Sequence, residues 1–147
     1  MLKAILILSL SIFLFSCGGG DSSDESKQAK YYLEMEDSKE SIESDNCNYM
    51  GSGSKITFGI GDKGELIVFD LFDKLSGAEM SSFEGQTFPA EVSFNDAPFE
   101  GEILIKKVEE EKSKGKSEFS KNYKLSGIFT GNKGRVINFA VSIFRMQ

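Results

Sequence analysis

Residues 55–69 read KITFGIGDKGELIVF, and this stretch decides the fold class. Ile56, Phe58 and Ile60 recur at every second position, so they share one face of an extended strand. The run breaks at Gly61-Asp62-Lys63-Gly64 and resumes as ELIVFDLFDKL, residues 65–75. There Ile67, Phe69 and Leu71 fall on one face, and Leu66, Val68 and Phe72 on the other. With both faces apolar, this second run predicts a central strand covered on both sides. GDKG supplies the turn chemistry. Asp62 and Lys63 suit the central positions of a type I turn, and Gly64 suits the left-handed residue of the bulge that follows. The same frame returns in GNKGRVINF, residues 131–139, with Asn132, Lys133 and Gly134 in the corresponding places. Two β-hairpins are expected, 55–60 with 65–72 and 123–130 with 135–144.

Alternation extends outward from this hairpin in both directions. QTFPAEVSF sets Phe88, Ala90, Val92 and Phe94 against Thr87, Pro89, Glu91 and Ser93. Pro89 has no N–H for a ladder, which places it on an edge strand, at a strand start or at a bulge. FEGEILIKKVEE sets Ile103 and Ile105 against Leu104 and Val108, and EEEKSKGKSE at 109–118 reads as a charged hairpin tip. NYKLSGIFT aligns Tyr123, Leu125, Gly127 and Phe129. GRVINFAVSIFRMQ aligns Ile137, Phe139, Val141 and Ile143, with Asn138, Ala140 and Ser142 opposite. KYYLEMED supplies a weaker first strand, and SKESIESDNCNYMGSGS, residues 38–54, reads as a long loop. A single helical turn fits within 75–83, where Ser76 caps it and Gly77 limits it. About seven short strands with turn signals predict one all-β domain over residues 31–147, an antiparallel β-sandwich or small β-barrel.

The N-terminal stretch MLKAILILSLSIFLFSCGGGDSSDES carries a different signal. Lys3 precedes an apolar run of twelve residues, Ala4 to Phe15. That is short of the roughly 20 residues needed to span a bilayer, and it matches a secretory h-region of about 7–15. The run ends Leu14-Phe15-Ser16-Cys17. This resembles the lipobox of bacterial lipoproteins: an aliphatic residue, a variable one, a small one, then cysteine. The resemblance implies cleavage of residues 1–16 after Ser16 and diacylglycerol on the Cys17 thiol. It also implies acylation, commonly by palmitate, of the new amino terminus. One acyl chain holds a protein to a membrane only marginally and two or more hold it firmly, at about 0.8 kcal/mol per buried CH₂. Residues 17–30, rich in Gly, Ser and Asp, read as a lipidated cysteine and an acidic tether. Glycine-rich then acidic sequence after a lipobox is similar to small β-rich lipoproteins of the Bacteroidota, where such acids can mark export to the cell surface. The implied location is the bacterial cell envelope, lipid-anchored at the outer membrane on its periplasmic or surface face.

Catalytic chemistry is sparse. The chain has no His, which removes Ser-His-Asp triads, Cys-His pairs and His metal ligands. It has no cysteine cluster for zinc and no phosphate-binding P-loop, and GDKGE lacks the spacing of a calcium loop. No catalytic residue, metal site or cofactor is expected. Cys47 loses its only potential partner once Cys17 is lipidated. It reads as a small, partly buried residue or as a partner in an intermolecular disulfide, and a nucleophilic role lacks the His that usually serves as base. Asp70 and Glu102 interrupt apolar runs, and each reads as a solvated position or as a buried carboxylate lining a ligand site. Residues 51–105 carry ten acids against three lysines, and 106–147 carry ten bases against four acids. That asymmetry makes either a dipolar surface or charge pairing across the sheet. Basic KSKGKSE lacks the interleaved aromatics of a single-strand nucleic-acid site, so no nucleic-acid partner is expected.

These features point to a membrane-anchored, non-catalytic binding or interaction module whose partners are the membrane and an envelope protein. The alternative is a lipocalin-like carrier of a small apolar ligand. A carboxylate-based hydrolase stands behind both.

Overall fold

The structure, a computed structural model, describes residues 31–111 and 120–146. Its elements in chain order are β1 (Tyr31–Met35), β2 (Ser41–Ser44), β3 (Cys47–Ser52), β4 (Lys55–Ile60) and β5 (Gly64–Val68). Helix α1 (Leu71–Leu75) and a 3-10 turn (Met80–Phe83) come next, then β6 (Thr87–Phe94), β7 (Ala97–Glu111), β8 (Ser120–Gly131) and β9 (Val136–Met146). The nine strands form one antiparallel sheet in the order β2-β1-β9-β8-β7-β6-β5-β4-β3. The expected hairpins are both present, with Ile56↔Val68 and Ile60↔Gly64 in one and Tyr123↔Ile143 and Phe129↔Ile137 in the other.

Strand directions show how this sheet curls into a nearly closed barrel. Every neighbouring pair is antiparallel, so β2 and β3 both run opposite to β1 and hence in the same sense as each other. Only Asp45 and Asn46 separate them, with the Asn46 N–H donating to the Ser44 hydroxyl at 3.1 Å. They are two halves of one bent strand. The first half pairs with β1 at one end of the sheet, and the second pairs with β4 at the other end. Counted as one, they complete an eight-position up-and-down meander. Eight strands enclose an interior just wide enough for side chains to fill.

The filling follows the alternation. Leu33, Ile56, Phe58, Ile60, Leu66, Val68, Phe88, Val92, Phe94, Ile103, Ile105, Phe129, Ile137 and Phe139 are fully buried in one cluster. Leu71 from α1 and Met80 and Phe83 from the 3-10 turn join it and close one end, here termed the floor. The opposite end, the rim, carries the β1–β2, β4–β5, β6–β7 and β8–β9 turns.

Four local expectations are corrected. The stretch read as a loop, 38–54, contains β2 and β3, which adds two strands to the expected seven. The run 65–75 is not one strand: β5 ends at Val68, Asp70 turns the chain with φ 61°, and Leu71 onward is helical. Asp70 therefore shares no strand face with Phe72. A register shift between Ile105 and Lys107 inserts one residue into β7 and reverses its parity. Val108 thereby pairs with Leu125 and packs against the core on the side of Ile103 and Ile105. In the GDKG turn the left-handed residue is Gly61, φ 60°, while Gly64 already belongs to β5; in GNKG it is Gly134, φ 75°, preceded by Lys133 at φ 67°. Pro89 lies near the start of β6 but not at a sheet edge. Its carbonyl accepts from Phe69 N–H at 2.9 Å, just beyond the last β5–β6 pair, Val68↔Ala90. Its missing N–H thus faces the side where β5 has ended.

Candidate functional site

The barrel wall is incomplete where β3 passes the C-terminal half of β9. Beyond the β1–β9 pairs, which run from Tyr32↔Ala140 to Met35↔Ile137, β9 continues to Met146, and among the described residues no strand is hydrogen-bonded on that flank. Side chains from β3 serve instead. Cys47 Sγ donates to the Ser142 carbonyl at 3.9 Å, and the Tyr49 hydroxyl donates to the Phe144 carbonyl. Ile42 of β2 packs against Gly61 and Gly64 farther up the same seam.

A polar cluster sits in this seam. The Tyr31 hydroxyl donates to the Glu111 carboxylate at 3.1 and 3.0 Å, and the Ser142 hydroxyl donates to Glu111 Oε2 at 2.9 Å. Tyr31 and Ser142 are buried, so a carboxylate there is held by charge-assisted donors from β1 and β9. Burial pushes the Tyr31 phenol above its usual range, and Glu111 adds to the shift. Burial likewise pushes the Cys47 thiol up, with the negative charge of Glu111 acting in the same direction. A raised thiol stays protonated at neutral pH, whereas a nucleophile or metal ligand needs the thiolate. Cys47 is a half-buried, free thiol that acts as a weak donor. A cleft of about 550 Å³ opens beside it, lined by Tyr31, Asp45, Asn46, Tyr49, Asn122 and Phe144 among others.

Two further depressions adjoin it toward the floor. One of about 400 Å³ is mostly apolar, lined by Tyr49, Phe72, Leu75, Met80, Ile143 and Phe144, with Arg145 at its side. The other, about 680 Å³, lies between residues 77–81 and the ends of β7, β8 and β9. Arg145 borders both and donates to the Ala78 carbonyl. The second depression holds two acids, Glu79 and Glu110. Both are exposed, and Glu110 is paired with Lys121 at 3.0 Å.

The remaining sequence candidates fall elsewhere. Cys17 and Ser16 lie outside the described residues. Asp70 and Glu102 are both exposed, Asp70 ahead of α1 and Glu102 opposite Pro89 and Thr130. Among the described residues no group of acids and cysteines is placed to hold a metal ion, and no helix is long and apolar enough to cross a membrane. The charge asymmetry is spatial: residues 120–146, forming the neighbouring strands β8 and β9, carry five bases and no acid. Tyr31, Glu111 and Ser142 carry no motif, and the residue separations of 80 and 31 between them hide the cluster from any local reading. No family model, curated protein or solved structure matches the chain.

Proposed function

We propose that this chain is a lipid-anchored protein of the bacterial envelope whose β-barrel is a non-catalytic binding module. The observation that carries the reading is the opening signal, a short apolar run ending Leu14-Phe15-Ser16-Cys17 ahead of a polar stretch and a single domain. The filled interior supports a surface-binding role over the carrier alternative. A small apolar ligand inside the barrel would have to displace Phe58, Phe88, Phe94, Phe129 and Phe139, each at most 2% exposed. Removing such a side chain costs about 3–5 kcal/mol. The protonated Cys47, the committed donors around Glu111 and the exposed floor acids fit binding better than group transfer.

Mass spectrometry of the mature protein tests the anchor. A chain beginning at Cys17 with added diacylglycerol is expected, and Cys17→Ser should release the protein from membranes. An unmodified Cys17 or a retained Met1 overturns the reading. For the partner, crosslinking in intact cells followed by affinity capture should yield a defined envelope protein that Cys17→Ser loses.

A further inference from the structure

The C-terminal half of β9 carries a charge that the fold leaves unanswered. Arg145 stands directly opposite Lys121 in the β8–β9 ladder. Like charges placed so are destabilising unless each finds an acid. Lys121 has one, Glu110 at 3.0 Å. Arg145 has none: its guanidinium donates to the Ala78 carbonyl, and among the described residues it makes no ion pair. A guanidinium has five N–H donors in a planar fork that matches a carboxylate, so most of its capacity is unused here. Half-buried Arg145 is also the single charged residue lining the apolar depression of about 400 Å³, whose walls include Tyr49, Phe72, Leu75, Ile143 and Phe144. Small-ligand sites are of this kind, roughly 300–1,000 Å³, mostly apolar, with a few polar groups that fix orientation. The Tyr49 hydroxyl on the same wall is already committed to the Phe144 carbonyl, which leaves Arg145 as the orienting group.

We propose that this depression binds a monocarboxylate carried on an apolar body, with the carboxylate on Arg145 and the apolar body against Phe72, Leu75 and Ile143. The proposal goes beyond the binding-module reading and does not depend on the lipid anchor. Three features define the ligand. The unpaired guanidinium calls for an anion that accepts two parallel hydrogen bonds. The aromatic and aliphatic walls call for an apolar body, which gains in proportion to the area it removes from water. The acids around Arg145 limit the charge. Glu79 and Glu110 line the adjoining depression, and Asp73 is exposed on α1. They repel a second negative charge, so a phosphate, at about −1.5 to −2 near pH 7, is disfavoured against a carboxylate. Such a carboxylate has two sources: a free fatty or aromatic acid, or the C-terminal end of a partner chain whose last residues are apolar.

The test uses the full-length chain carrying Cys17→Ser, so that no acyl chain of its own competes for the depression. It is titrated by calorimetry with decanoate below its micellar range, with decanol and with decyl phosphate, and backbone amide shifts locate the contact. Decanoate should bind and move the amides of residues 72–78 and 143–145. It should bind at least about tenfold more tightly than decanol or decyl phosphate, the scale of one charge-assisted hydrogen bond. Arg145→Gln should weaken decanoate by about the same factor and leave decanol unchanged. The comparison of decanoate with decanol needs no substitution at the site, so it reports even where Arg145→Gln fails to fold. A peptide ending in Leu-Phe, offered with a free and with an amidated terminus, separates the sources. Tighter binding of the free-terminus peptide than of decanoate assigns the site to a partner's chain end, and the reverse assigns it to a free acid. Three results overturn the proposal: equal affinity for decanoate and decanol, undiminished decanoate binding in Arg145→Gln, or amide shifts away from the floor. Binding of neither decanoate nor the free-terminus peptide overturns it as well. Cys17 is replaced in this chain, so none of these outcomes bears on the anchor.

Discussion

Replacing Gly64 and Gly134 in turn by asparagine, alanine and valine separates two reasons for glycine that the frames GDKG and GNKG write alike. At Gly64 an added Cβ would lie 2.6 Å from the Ile60 carbonyl oxygen and 3.0 Å from Ile42 Cγ2. Ile60 pairs with Gly64 in the ladder, so that oxygen is fixed backbone and cannot swing aside. Overpacking of this kind costs about 1–3 kcal/mol, and the cost falls on any side chain that begins with Cβ. At Gly134 nothing lies within 4 Å, and the penalty comes from φ 75° alone. Left-handed backbone costs an L-residue about 1–2 kcal/mol, least for asparagine and most for a β-branched residue. Against a total stability of about 5–15 kcal/mol, both effects are measurable by urea unfolding followed by circular dichroism. At position 134 the loss should rise from asparagine through alanine to valine. At position 64 asparagine and alanine should lose about the same, roughly 1–3 kcal/mol. Stability of G64N equal to that of the parent, or G134N as damaging as G134V, would refute the reasoning.

Other consequences follow from the seam and the floor. Tyr49→Phe removes the donor to the Phe144 carbonyl and should cost about 0.5–1.5 kcal/mol, with faster amide exchange confined to residues 142–146; uniform exchange along β9 would count against the seam as described. Tyr31, Tyr49 and Cys47 all have folded pKa values raised above ordinary values of 10.0, 10.0 and 9.0, so each favours the folded state while protonated. The stability they contribute is complete below about pH 9 and is lost as pH rises through the folded values. The urea midpoint should therefore fall above pH 9, less steeply in Tyr31→Phe, and an unchanged slope in that variant would contradict the burial of the phenol. Phe83→Ala, at a ring tilted 48° to Phe88 with centroids 6.1 Å apart, should destabilise the barrel by about 3–5 kcal/mol; a loss below about 1 kcal/mol would mean that the floor is not part of the cooperative core.

The strands legible in the sequence are those whose side chains keep a period of two over their whole length, such as β4, β6 and β9. The bent strand escaped because its apolar residues change parity: Ile42 faces inward on β2, and after Asp45-Asn46 the partly buried positions become Cys47 and Tyr49. Read in one frame they show no alternation. Helix α1 escaped for the converse reason. Leu66, Val68 and Phe72 keep strand parity by coincidence, and only the left-handed turn at Asp70 separates them. Of the candidate site, Cys47 was visible as a lone thiol. The partners that define its surroundings, Glu111 and Ser142, come from β7 and β9, and no residue pattern forecasts a meeting across a barrel.

The position of β1 also determines how the domain bears mechanical load. β1 lies between β2 and β9, with four register pairs on each flank. Tension applied ahead of Tyr31 and resisted at the rim acts along the strand axis. Both ladders are then sheared together instead of peeling apart one rung at a time. Because β1 runs toward the rim between two antiparallel neighbours, the pull lies along the strand and has no lever to pry β1 outward.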